Sequence, residues 1–384
     1  MSADVGASGF PLPFLVALRV RGALRLLGLR RGEPLLPRLI FLGVDPGEAV
    51  EALRSIRSPS RWTEIWERLA RSHQEAGRRF AAAGDGITAA ESLLRSAACF
   101  RAAEFLETAP EGRRRLWEML VAVTTEGGQL LDPPLERILV KRGGVAVPVL
   151  FRGPATADPP PCVVTLGGVD GVKEEFNRIT QAYVDRGWAS VALDLPGQGE
   201  LRRLRGVPWR ADPEDVVSAV LDELVGGGRI DGHRVVVVGG SAGGYFALRV
   251  AASDRRVIGC AVLSGPLDLL DVYRTAPPPI PKTMEYNLGV ESSAEAVRLL
   301  ARFSIGDRLA AITCPVLQVH GGADGTVPIV HAERLRSALP GQVTSLIFED
   351  GDHLCFNHLP EWEASLRNWL TDLLGTPVRR LRVG

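Results

Sequence analysis

Apolar positions recur at helical spacing through the first third of the chain, then switch to short strand-like runs. Up to about residue 130 every segment reads as helix. Asp45-Pro46 supplies an N-cap side chain followed by a proline at the first helical position, and Ala49, Val50, Leu53 and Ile56 then share one face. Ser60 opens a second helix that carries Trp62, Ile65, Trp66, Leu69 and Phe80 and ends near Gly84. Thr88 and Glu91 read as a capping box ahead of Leu93, Leu94, Ala97 and Phe105. Tryptophans at i, i+3, i+4 spacing predict packed core rather than a ligand wall. Nearer the start, Pro11 to Leu29 is apolar but interrupted by Arg19, Arg21 and Arg25. That pattern predicts an amphipathic helix docked on the protein, not an export signal or a membrane span.

The period changes after Pro133-Pro134. Arg137–Lys141 and Val145–Phe151 flank Arg142-Gly143-Gly144, a hairpin signal. A proline-rich stretch, Ala155 to Pro161, leads into the apolar run Cys162–Leu166. Further strands are predicted at Ala189–Leu193, Arg234–Val238, Val257–Leu263, Val316–His320 and Val343–Phe348. Helices are predicted at Lys173–Arg186, Pro213–Val225, Gly243–Ala252, Ile329–Leu339 and Pro360–Leu374. Continuous valine runs suit strands covered on both faces, and strand–helix alternation implies a mostly parallel sheet with right-handed crossovers. One stretch breaks the alternation. Residues from Pro266 to about Asp307 contain Pro277-Pro278-Pro279 and Pro281 before a short helical pattern, too long for an ordinary connection. It is expected to cap the C-terminal edge of the sheet. The fold class is therefore α/β, with an N-terminal all-helical domain over 1–132 and a catalytic domain over 133–384 that carries a cap insertion at about 266–307.

Composition narrows the partners. The 384 residues are 46% hydrophobic, enough for a buried core, and Lys+Arg 45 balances Asp+Glu 45. A net charge of zero provides no field to gather nucleic acid or an anionic membrane, so neither is expected as a partner. Five cysteines, widely spaced and never in a CxxC pair, argue against a disulfide framework or a zinc site and for a reducing, cytoplasmic setting. Neither metal nor cofactor is expected. Only three basic residues are lysines (Lys141, Lys173, Lys282), which reads as codon bias.

The strongest motif is Gly239-Gly240-Ser241-Ala242-Gly243, set between a predicted strand and a predicted helix. G-x-S-x-G in that context is a nucleophile elbow: a sharp turn lifts the serine from the sheet and leaves room only for small neighbours. An alcohol needs an adjacent base, itself oriented by an acid, and in this topology the chain order is Ser, acid, His. Asp324 lies just past the Val316–His320 strand and His353 just past the Val343–Phe348 strand, both on the edge where such sheets build sites. Among the other histidines, His320 is expected to support the Asp324 loop and His358 to start a helix. The developing oxyanion needs two donors. One is the N–H of Ala242; the other is the N–H of Val169, with Gly168 as the neighbouring alternative, in Gly167-Gly168-Val169-Asp170. A glycine pair could cradle phosphate, but no Gly-Lys-Ser/Thr follows it.

These residues carry a family resemblance. Gly167-Gly168 followed by Lys173-Glu174-Glu175, then Pro196-Gly197-Gln198-Gly199-Glu200, the elbow from Gly239 to Gly244, and Asp350-Gly351-Asp352-His353 resemble the α/β-hydrolases with an N-terminal helical domain. That group is related to 2,6-dihydroxypseudooxynicotine hydrolase, and fungal polyketide-shortening hydrolases and fermentation-respiration switch esterases are similar too. The resemblance implies the α/β-hydrolase fold, a Ser-His-Asp triad, and cleavage of an ester or of a carbon–carbon bond beside a ketone. It also implies an additional cap carboxylate, for which Asp271 and Glu285 are the nearby candidates. Asp194-Leu195 departs from the family's usual Asp-Gly.

The function expected is a serine hydrolase acting through an acyl-enzyme on a bulky, largely apolar small molecule, aromatic or polyketide-like. An acyltransferase or cyclase with the same triad, or a non-catalytic ligand-binding scaffold, are the alternatives. The N-terminal apolar helix could serve a homodimer.

Overall fold

The computed structural model describes residues 35–375, apart from 57 and 278. The apolar stretch from Pro11 to Leu29 lies outside the described residues. Among the described residues five α-helices precede the first strand: α1 (Leu36–Leu42), α2 (Pro46–Ser55), α3 (Trp62–Ala82), α4 (Gly86–Glu104) and α5 (Pro110–Gln129). Asp45 caps α2 as expected, accepting the N–H groups of Gly47 and Glu48. The capping box at Thr88 and Glu91 does not form. Asp85, the residue after the glycine that ends the preceding helix, reaches the Thr88 N–H at 3.0 Å and starts α4 at Gly86 instead. Trp62 and Trp66 are buried in the core of this helical region, as their spacing predicted, and Trp117 joins them there.

The rest is one eight-stranded sheet. Its strands are β1 (Glu136–Arg142), β2 (Val145–Arg152), β3 (Cys162–Leu166), β4 (Ala189–Leu193), β5 (Val235–Gly240), β6 (Val257–Leu263), β7 (Val316–Gly321) and β8 (Val343–Phe348). They lie in the order β1-β2-β4-β3-β5-β6-β7-β8. β1 and β2 form the predicted hairpin, β2 runs antiparallel to β4, and all later pairings are parallel. The valine run of β5 shows why: Val235 and Val237 enter the core on one face, and Val236 and Val238 the core on the other. The first face is covered by α8 (Glu214–Gly226) and α9 (Ala242–Ser253); the second by α6 (Asn177–Val184) and α14 (Leu359–Leu374). Between β7 and β8 runs α13 (Val330–Ala338).

Two stretches differ from expectation. Lys173–Phe176 is a 3-10 turn rather than the start of α6, and a short helix α7 (Gly199–Arg203) follows β4 where none was predicted. Both bend around the Asp194 carboxylate, which accepts the N–H of Lys173 at 3.0 Å and that of Glu200 at 2.9 Å. The insertion after β6 is also more ordered than one short helix. It holds α10 (Leu269–Thr275), α11 (Pro279–Leu288) and α12 (Ser293–Leu300), closed at its base by a bridge between Asp268 and Ser304. Among the described residues no helix is long and apolar enough to cross a membrane.

Candidate active site

The turn between β5 and α9 holds Ser241 at φ 56° and ψ −129°, a conformation an L-residue adopts only when its surroundings impose it. The Ser241 N–H donates to Leu263 O of β6 at 2.8 Å, and Ser241 O accepts from the Gly244 N–H at 2.8 Å. A Cβ at Gly239 would run into the carbonyl of Gly243, so the turn closes only with a bare backbone there. The loop after β3 packs directly on this turn: a Cβ at Gly168 would stand 3.0 Å from the Cβ of Ser241.

Asp324 and His353, 29 positions apart, meet at the same end of the sheet. Nδ1 of His353 lies 2.9 Å and 3.1 Å from the two Asp324 carboxylate oxygens. A carboxylate can only accept, so the proton sits on Nδ1 and Nε2 is left as the basic nitrogen. Asp324 itself is fixed by the N–H groups of Thr326 and Val327, both 2.8 Å from Oδ1, and its side chain is fully buried. Burial alone would raise its pKa; the His353 hydrogen bond and charge, with the two backbone donors, more than offset that and hold it below the ordinary value. His320 supports this loop, with Nε2 2.9 Å from Val327 O, and burial lowers its own pKa. His358 ends against α14, its ring stacked on Phe348 and Nε2 2.8 Å from Asp350 Oδ1.

Ser241, His353, Gly168 and Val169 all line one cavity of about 160 Å³. Its wall is mostly apolar, with Phe41 from α1, Ile280 from the cap, and Phe176, Leu263, Leu354 and Trp362 from the sheet region. Each carboxylate on the wall has a guanidinium: Asp170 pairs with Arg38 at 2.8 Å, Glu175 with Arg101 at 2.7 Å, and Glu363 with Arg178 and Arg367. Asp271 and Glu285 do not line this cavity. Asp271 lies 3.4 Å from Arg334, and Glu285 is held by Tyr273, Lys282 and Ser293. The cap carboxylate expected from the resemblance is therefore not supplied by either. A separate cavity of about 180 Å³ between the helical region and Glu174–Arg178 is lined by neither Ser241 nor His353. Among the described residues no group of three or more His, Cys, Asp or Glu side chains is placed to hold a metal ion.

Sequence reasoning missed the supports of this site. Ser264, at φ 47° just past β6, accepts the Leu354 N–H at 3.0 Å and pins the His353 turn. Gln198 and Asn287 bond the Gly168 and Val169 carbonyls, and nothing in their local sequence announces it beyond the Pro196–Glu200 motif. Beneath the motif, Lys173 Nζ is fully buried among Glu174 at 2.6 Å, Asp194 at 2.9 Å and Glu200 at 3.3 Å. Burial would lower the ammonium pKa, but the three carboxylates outweigh it and raise it. Arg137 and Arg205 complete the neutralisation at Glu200.

Residues 174–377 match the model of the prolyl oligopeptidase family. The chain is 32% identical to the 2,6-dihydropseudooxynicotine hydrolase of Paenarthrobacter nicotinovorans over 88% of this chain and 91% of that protein. It is 29% identical to the 20-hydroxy-prefusarin hydrolase FUS2 of Gibberella moniliformis, over 76% of this chain and 80% of that one. The crystal structure of the 2,6-dihydroxy-pseudo-oxynicotine hydrolase superposes with a TM-score of 0.82 at 31% identity, covering 88% of this chain and 95% of that chain. The fold and the resemblance predicted from motifs are thus both met: the chain belongs to the prolyl oligopeptidase family of α/β-hydrolases and is a hydrolase.

Proposed function

We propose that the chain is a serine hydrolase whose nucleophile is Ser241, whose base is His353 and whose orienting acid is Asp324. Ser241 Oγ attacks a substrate carbonyl while its proton passes to His353 Nε2, and Asp324 stabilises the imidazolium that forms. The oxyanion is received by the N–H groups of Ala242 and Val169, with Gly168 the neighbouring donor. The leaving group departs with the proton from His353, and water, deprotonated by the same imidazole, releases the acyl group and restores Ser241. An alkoxide from an ester or an enolate carbon from a diketone can each accept that proton, and the steps require no group beyond these side chains and water.

The single observation that carries this reading is that Ser241 and His353 line one apolar cavity, with His353 hydrogen-bonded from behind to the buried Asp324. Because every carboxylate on that wall is paired with an arginine, the cavity favours a neutral, bulky molecule over an anion or an amine. Relatives named for a pseudooxynicotine and for prefusarin support a cyclic or polyketide-like substrate with a cleavable bond beside a ketone. Five buried thiols with no disulfide support a cytoplasmic setting. We also read the enzyme as a homodimer, the state that the apolar stretch near the N-terminus suggested. The test is Ser241→Ala, assayed on aryl esters and on aryl β-diketones in ¹⁸O-water. The expected result is an unchanged melting temperature with turnover lowered on the order of 10⁴-fold or more, and wild-type enzyme that places ¹⁸O in the acid product. Near-normal turnover of the variant overturns the assignment, and an acylated acceptor formed in place of labelled acid redirects it to acyl transfer.

A further inference from the structure

The loop that follows β3 has an unusual construction. Four successive carbonyls, those of Gly167, Gly168, Val169 and Asp170, are each gripped by a side chain from elsewhere. Gln198 Nε2 donates to Gly167 O at 2.6 Å and to Gly168 O at 2.8 Å. Asn287 Nδ2, from cap helix α11, donates to Val169 O at 2.6 Å. Arg101 Nη2, from α4 of the helical region, donates to Asp170 O at 2.7 Å. None of the three lines the cavity that holds Ser241, so whatever they do for the reaction they do through the loop.

The geometry of the peptide unit converts those grips into aim. In a trans peptide the C=O of one residue and the N–H of the next lie in one plane and point in opposite directions. The only cis peptide among the described residues is Asp132-Pro133, so the units from Gly167 to Gly171 are trans. Holding Gly168 O therefore directs the Val169 N–H, and holding Gly167 O directs the Gly168 N–H. One amide group thus sets the direction of both candidate donors. Gln198 is suited to it: the side chain is 2% exposed, both Nε2 hydrogens are used, and Oε1 accepts the Leu195 N–H at 3.2 Å. A flipped amide would set oxygen against two carbonyls, so its orientation is forced. Asn287 is 1% exposed, and its own carbonyl receives the Trp209 N–H at 2.7 Å, which fixes it in turn.

We infer that Gln198 is the positioning residue of the oxyanion hole, aiming the Val169 and Gly168 N–H groups at the reacting carbonyl, and that Asn287 and Arg101 lock the same loop to the cap and to the helical region. This rests on the serine-hydrolase reading above. Pre-aimed dipoles stabilise developing charge without reorganising during the reaction, so the consequence is a lower barrier rather than tighter ground-state binding.

The test uses the full-length chain with p-nitrophenyl butyrate as ester and an alkyl fluorophosphonate as serine probe. Gln198→Met keeps the length of the side chain and removes both donors. The expected loss in kcat is on the order of 10²-fold, the scale of one lost oxyanion donor, with KM changed little. The fluorophosphonate labelling rate should fall by a similar factor, since its phosphoryl oxygen loads the same donors. Asn287→Leu should lower kcat by about tenfold, again with KM held. A folded Gln198→Met that turns over and labels at the wild-type rate, in protein whose Ser241→Ala form is silent, overturns the inference and leaves the triad standing. Wild-type labelling that survives Ser241→Ala would instead remove the reading beneath it. Should Gln198→Met fail to fold, the crystal structure of the phosphonylated wild-type enzyme decides. The phosphoryl oxygen is expected within hydrogen-bonding distance of the Val169 and Ala242 nitrogens, with Gln198 still on both carbonyls; an oxygen turned away from Val169 and Gly168 overturns it.

Discussion

Two turns meet over Ser241, and they are built by opposite means. The turn after β5 is made by backbone: a strand, a strained serine at φ 56° whose N–H is tied to Leu263 O of the neighbouring strand, a helix, and glycines where any Cβ would collide. The loop after β3 has little local structure and is held by side chains from positions 101, 198 and 287. Its two neighbouring strands, β4 and β5, fix only where it starts. A turn made by its own sequence is robust to distant change; a loop made by tertiary hydrogen bonds inherits every movement of the parts that hold it. No side chain of the cap or of the helical region holds the turn of the proposed nucleophile among the hydrogen bonds described, whereas the loop of the proposed oxyanion donors is bonded to both.

That contrast can be broken at several points. The largest effect after loss of Ser241 itself is expected at Asp324→Asn, where the amide cannot hold the His353 ring with its proton on Nδ1. Turnover should fall on the order of 10³- to 10⁴-fold with the fold retained, as read by steady-state kinetics beside a thermal melt. The same variant tests a pH dependence. The folded-state pKa of Asp324 lies below its unfolded value, so its ionisation stabilises the fold fully above about pH 4 and that contribution drains as the pH falls through the lower folded value. Acid denaturation of Asp324→Asn should therefore lose less stability below about pH 4 than the wild type does; parallel curves would contradict it.

Next in size, Gly239→Ala places a methyl against the Gly243 carbonyl and attacks the locally built turn directly. A cost of more than about 4 kcal/mol is expected, seen as loss of soluble protein or a collapse of the urea midpoint. Lys173→Met attacks the other side. It leaves Glu174, Asp194 and Glu200 without their shared ammonium, and these groups shape the bend that presents Gln198. Breaking such a buried pairing is expected to cost about 3–5 kcal/mol in denaturant unfolding. Survivors at low temperature should lose kcat more than KM, which the Gly239 variant gives no reason to expect.

The same division governs what could be read before the structure. Strands β4 and β6 have the expected bounds residue for residue, because an apolar run bounded by turn signals leaves little choice of ends. The meeting of Asp324 with His353 was foreseeable, since chain order and the ends of β7 and β8 bring them to one edge. At the start of α4, Asp85 and the Thr88–Glu91 pair each satisfy a capping pattern, and only the three-dimensional path selects Asp85. Gln198, Asn287 and Ser264 were invisible for a different reason. An amide or hydroxyl in a loop is chemically ordinary, and acquires a role only when the fold carries a distant carbonyl or N–H to it. Asp271 and Glu285 show the converse: carboxylates of the expected type within the insertion, yet turned to Arg334 and to Tyr273, Lys282 and Ser293.

The burial of Lys173 has a practical consequence in a chain so poor in lysine. Lys141 and Lys282 are exposed, whereas the Lys173 side chain has no accessible surface. Acylating reagents, and supports that capture proteins through amines, can therefore grip the native enzyme at two lysine side chains, Lys141 and Lys282. Acetylation at position 173, followed by mass spectrometry over time, becomes a clock for how often the ground beneath the oxyanion loop opens to water.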